Sequence, residues 1–134
     1  MRRLALLLAT LAAALLACTH DSGGTNPDNA AESNAVKQAI ARLPGVLRVD
    51  GGYAKNASDP GGVNLSITTK PGTEPQPIID AALKQVWLSH LNPCSSAIIT
   101  AGPDDNPRAS ITHNYDLTRQ ATELAKLYGP RPTG

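Results

Sequence analysis

The sequence predicts an α+β domain in which helices cover one face of a four-stranded antiparallel sheet, in the order helix, hairpin, helix, hairpin, helix. Three observations predict it. Apolar residues recur at helical spacing in three segments. Two segments, 63–68 and 109–114, alternate apolar and polar as half-buried strands do. Clusters of Gly, Pro, Asn and Asp separate these stretches. Paired strands divided by helices favour two layers, one helical and one sheet.

Each element has its own local signal. In residues 30–43, Val36, Ile40 and Leu43 form one apolar stripe. Asn29 with Glu32 three residues later reads as an N-terminal capping pair, and Pro44-Gly45 stops the helix. A strand follows at 46–54. Residues 55–62 hold Ser, Asp, Pro and two Gly, which suits a hairpin loop. Val63, Leu65 and Ile67 then alternate with Asn64, Ser66 and Thr68. Gly51-Gly52 and Gly61-Gly62 read as kinks or hairpin ends, since neither pair precedes the Lys-Ser/Thr of a phosphate loop.

Pro71, Pro75 and Pro77 break the chain before a second helix at 77–91, where Ile79, Leu83, Val86 and His90 share a face with Ala82 and Trp87 beside it. Pro93 stops that helix. A short apolar strand at 96–101, a turn-forming cluster at 102–107 and the alternating segment 109–114 make the second hairpin. Asp116 caps a last helix carrying Leu117, Ala121, Leu124 and Tyr128, which Gly129-Pro130 ends. Residues 30–134 are enough for a single core.

The first eighteen residues carry a different message. Arg2 and Arg3 precede an unbroken Leu/Ala stretch, interrupted by one Thr, over residues 4–17. A membrane-spanning helix needs about 20 apolar residues, so this shorter run reads as a secretory signal. Its end, Leu15-Leu16-Ala17-Cys18, resembles the lipobox of bacterial lipoprotein precursors. The resemblance implies that the thiol of Cys18 receives a diacylglyceryl group and that the chain is cut before it. Residues 1–17 are then a signal peptide and Cys18 the lipidated N-terminus. The protein is expected on the extracytoplasmic side of the cell membrane, with the membrane itself as its partner through that lipid. Residues 18–29 read as the lipidated Cys and a flexible tether, because THDSGGTNPDN offers no large apolar side chain. Cleavage removes two of the 12 basic residues and leaves ten against 11 acidic, so the small positive charge of the precursor belongs to the signal.

Two softer resemblances concern the domain. Its element order resembles a circularly permuted ferredoxin-like fold and the small BON domain of bacterial envelope proteins. The Ala/Leu-rich signal, Val86-Trp87-Leu88-Ser89 and the ending Leu127-Tyr128-Gly129-Pro130-Arg131-Pro132 are similar to small uncharacterised lipoproteins of high-GC Gram-positive bacteria. Neither likeness implies an activity.

Composition excludes several functions. Only 17% of the residues are charged, with a net charge of +1, which argues against a nucleic-acid binder with a broad basic face. Two Cys cannot build a disulfide scaffold. One Trp, three Tyr and no Phe leave little for a stacking platform.

Chemistry-bearing residues are sparse. Cys94 has no Cys-x-x-Cys partner and reads as a buried packing thiol. His90, His113 and Asp116, even with Asp104 and Asp105, lack ligand spacing, so no metal or cofactor is expected. Ser95, Ser96 and Ser110 sit in no Gly-x-Ser-x-Gly elbow and no Ser-x-x-Lys motif. Tyr53, Trp87, His113 and Tyr115 remain as candidate binding residues around the sheet. The expectation is a membrane-anchored, non-enzymatic interaction domain. The alternatives are a lipid or small-ligand binder, which needs a cleft between helices and sheet, and a small extracytoplasmic hydrolase.

Overall fold

The computed structural model describes residues 26–55 and 60–132. The expected signal peptide, Cys18, the tether up to residue 25 and part of the first hairpin loop lie outside the described residues. The order is α1 (Asn29–Ala41), β1 (Val46–Ala54), β2 (Gly62–Thr69), α2 (Pro75–Trp87), β3 (Ser96–Pro103), a 3₁₀ turn (Pro107–Ala109), β4 (Ile111–Asp116) and α3 (Ala121–Tyr128).

The class is α+β, but the sheet is mixed rather than antiparallel. Its order is β1-β2-β3-β4. The outer pairs are antiparallel, while β2 and β3 run parallel in the register Gly62↔Ser96 to Thr69↔Pro103. The physical reason is α2. Its 13 residues rise about 20 Å, so the helix carries the chain from the end of β2 back to the end where β2 began. Parallel neighbours need such a crossover, and a hairpin cannot supply it.

One face of the sheet meets the helices. Val63, Leu65 and Ile67 stand beside Ala97, Ile99 and Ala101. Val49 and Tyr53 flank them on β1, and Ile111, His113 and Tyr115 on β4. The small side chains of Ala97 and Ala101 let α2 lie close, where it contributes Ile79, Ala82, Leu83 and Val86. Val36 and Ile40 of α1, Leu117 and Leu124 complete the core. Burying each such Leu, Ile or Val contributes roughly 1.5–3 kcal/mol. The opposite face presents Asn64, Ser66, Ile98, Thr112 and Asn114 to solvent.

Gly51 lets β1 bend toward α1. Its φ is +89°, and a Cβ there would strike the Asn64 carbonyl oxygen across the strand pair. Past the bend, the N–H of Tyr53 donates to Ser33 Oγ on α1 at 2.9 Å.

The second helix ends at Trp87, earlier than the position of Pro93 suggests. Ser89 Oγ donates to the Val86 carbonyl at 2.6 Å and competes with the helical ladder. His90 is therefore off the helix, and it is exposed. The loop from 88 to 95 then has backbone groups that no strand pairs, and α1 serves them. Asn29 Nδ2 donates to the Asn92 carbonyl at 2.9 Å, and Asn92 N–H donates to Asn29 Oδ1 at 3.0 Å. The side-chain amide thus acts as a short piece of strand. Glu32 Oε2 accepts from the His90 N–H, and Asn26 donates to the carbonyls of His90 and Asn92. The capping pair expected from Asn29 and Glu32 is accordingly spent on another segment. Asp28 stands at the N-cap with no side-chain cap bond.

Two stability measurements check this account. Asn29→Ala removes both side-chain hydrogen bonds to the Asn92 backbone and should lower unfolding stability by about 1–2 kcal/mol in urea titration. Thr69 is 1% exposed and its hydroxyl has no hydrogen-bond partner among the described residues. Thr69→Val keeps the shape, removes the orphan and should raise stability by about 1 kcal/mol.

Candidate functional site

An open groove of about 610 Å³ lies at the end of the sheet where β2 and β3 begin. Pro60, Ser95, Ser96, Asn114, Tyr115 and Arg119 line it, with Asp116 and Thr118. The parallel crossover builds it, because β3 must start beside the start of β2 and the end of β4. Ser95 is held there twice by Gly61: its N–H donates to the Gly61 carbonyl at 2.9 Å and its Oγ at 3.1 Å. Gly61 has φ +115°, and a Cβ would collide with the Pro93 carbonyl oxygen and Tyr53 Oη, so glycine is needed for the approach.

Ser95 and Asp116 of the lining are already engaged in structure. Asp116 Oδ1 accepts from the N–H groups of Thr118 and Arg119 at 3.1 and 3.0 Å, while Asp116 N–H donates to Gln120 Oε1 at 3.0 Å. Arg119 Nε stands 3.5 Å from Asp116 Oδ2. The carboxylate thus organises the turn into α3. Among the described residues the lining holds two serines and no histidine that would serve as their base. What the groove offers is a phenol, hydroxyls, an amide and one guanidinium on a shallow surface.

The four candidate binding residues do not gather into one site. Tyr115 lines the groove, and His113 stacks on it with ring centroids 5.9 Å apart. Tyr53 lies at the same end of the sheet but on β1, three strand spacings or about 14 Å away. Its Oη donates to the Pro93 carbonyl at 2.7 Å. Trp87 is 3% exposed, and its Nε1–H donates to the Gly129 carbonyl at 2.9 Å. His90 is exposed and is held through its backbone by Asn26 and Glu32. Among the described residues, no group of three or more His, Cys, Asp and Glu side chains is placed to hold a metal ion.

The sequence alone assigns no role to Arg131, which follows the Gly129-Pro130 helix end. The Arg131 guanidinium lies over the Trp87 ring, 5.3 Å from its centroid, and its Nη1 donates to the Cys94 carbonyl at 2.7 Å. Cys94 is 5% exposed, and its Sγ lies 3.7 Å from the Ser96 carbonyl. A cation two residues after a helix-ending glycine, with a lone Trp elsewhere, was the available signal. Its spacing of 44 residues from Trp87 gave no local pattern to read.

No family model, curated protein or solved structure matches the chain.

Burial holds the phenols of Tyr115 and Tyr128 above their ordinary value, helped by the negative charge of Asp80. The folded state therefore favours the protonated phenols. That contribution is fully present below a pH of about 10 and is lost as pH climbs through the raised values. Urea titrations between pH 9 and 11 should show stability falling with pH, less steeply in Tyr115→Phe than in the parent.

Proposed function

We propose that this chain is a membrane-anchored envelope lipoprotein whose small α+β domain binds a partner and performs no chemistry. The observation that carries the anchor is Leu15-Leu16-Ala17-Cys18 at the end of a short apolar run behind Arg2 and Arg3. Diacylation holds a protein firmly, since each buried methylene contributes about 0.8 kcal/mol. Among the described residues no helix is long and apolar enough to cross a membrane. The two-layer build is compatible with a ferredoxin-like type of domain.

A binding rather than catalytic role is supported by how the polar side chains are used. Glu32, Asn29, Ser33, Ser95 and Asp116 all serve backbone groups. The space between helices and sheet is filled by Ile40, Ile79, Val86 and Ile99, each 0% exposed. Recognition is therefore assigned to the outside of the molecule. A second reading, a small polar ligand seated in the groove, is favoured by Tyr115, Asn114 and Arg119 facing one concavity.

The anchor is tested by growing cells with a clickable palmitate analogue. The parent chain should incorporate label and fractionate with membranes. Cys18→Ala should lose the label, retain residues 1–17 and remain unprocessed. Label that persists in Cys18→Ala would remove the lipobox reading.

A further inference from the structure

The two edges of the sheet are treated differently. The β1 edge is guarded by a register shift at Leu47, by the bend at Gly51 and by α1, to which Tyr53 gives its N–H. Such devices prevent strand pairing between molecules. The six residues of β4, Ile111-Thr112-His113-Asn114-Tyr115-Asp116, contain no Pro, Lys or bulge, and 111–115 carry no formal charge.

The phase of the β3–β4 ladder shows which backbone groups face outward. Leu117 N–H donates to the Ser95 carbonyl, whereas Asp116 N–H points away from β3 to Gln120 Oε1. Odd-numbered residues therefore bond β3, and Thr112 and Asn114 direct their N–H and C=O groups to the open edge. Neither has a backbone partner there among the described residues.

The geometry points to a second copy of this chain as the occupant of that edge, paired antiparallel through β4 about a two-fold axis at His113. Register selects this arrangement. With His113 opposite its copy, each Thr112 faces Asn114 of the other chain, and all the outward groups of both residues pair. A shift of the axis one residue toward Thr112 would call on Ser110 N–H, which already donates to the Pro107 carbonyl. A shift toward Asn114 would call on Asp116 N–H, which Gln120 holds. The edge is thus self-complementary in one register, which is what an isologous dimer requires. The two sheets become one of eight strands. One strand pair buries less than the roughly 1,200 Å² of stable complexes, so the dimer is reversible and forms at high local concentration. The pairing does not depend on the lipid anchor, although tethering to a membrane would raise that concentration.

Cross-linking tests it in the full chain. In the proposed dimer His113 forms a non-hydrogen-bonded pair with its copy, at a Cα separation of about 4.5 Å that a disulfide can span. Oxidation of cells expressing His113→Cys should yield a disulfide-linked dimer at least tenfold more abundant than from Thr112→Cys, whose side chain lies on the other face and out of register. The purified full chain in detergent should show a monomer–dimer equilibrium by sedimentation. His113→Lys should raise its dissociation constant at least tenfold while circular dichroism shows the chain still folded. Equal cross-linking of the two cysteine variants, cross-linking of His113→Cys to a different protein, or a monomer at millimolar concentration would overturn the proposal.

Discussion

The segment from Leu88 to Ser95 is the constraint on which the rest of this structure turns. It joins the end of α2 to the start of β3, and before Ser95 its backbone groups enter no strand ladder. A buried or half-buried peptide group without a partner costs about as much as a lost hydrogen bond, so the surrounding elements must supply partners. They do so from four directions. The start of α1 brings Asn26, Asn29 and Glu32, β1 brings Tyr53 Oη, the start of β2 brings the Gly61 carbonyl, and the C-terminal tail brings Arg131. Each partner is a residue whose local role would otherwise be ordinary. Together they set where β3 begins, and therefore the parallel register with β2 and the walls of the groove.

That arrangement explains which parts of the fold were legible in the sequence. Alternation at Val63, Leu65 and Ile67 reports burial on one face, and the structure places these residues in the core. Alternation is blind to strand direction, so it could not separate an antiparallel β2–β3 pair from a parallel one. The signal that does separate them is the length of the connection: a helix of 13 residues between two strands is a crossover, not a turn. The end of α2 was misplaced because Pro93 is the loudest breaker nearby, whereas the helix yields to the hydroxyl of Ser89.

The site was less legible than the fold for a related reason. Asn29 and Glu32 carry the right chemistry for a helix cap, and the sequence pattern for a cap is local. Their partners are some sixty residues away and have no side-chain signature, being the backbone of His90 and Asn92. Likewise Ser95 looks like a nucleophile without a base until Gly61 is seen to hold both its N–H and its hydroxyl. Local patterns identify donors and acceptors; they do not say which distant backbone will need them.

The C-terminal tail shows how such needs can make an apparent appendage part of the core. Trp87 is 3% exposed, and its indole N–H must be bonded once it is buried. Gly129 ends α3 with φ +88°, and its carbonyl accepts that N–H. The chain is then directed so that Arg131 covers the ring and reaches the Cys94 carbonyl. Arg131 Nη2 is buried with no partner among the described residues, a cost accepted to seal the indole and the loop in one stroke. The one Trp is covered by the chain that follows α3, through the Gly129 carbonyl and the Arg131 guanidinium.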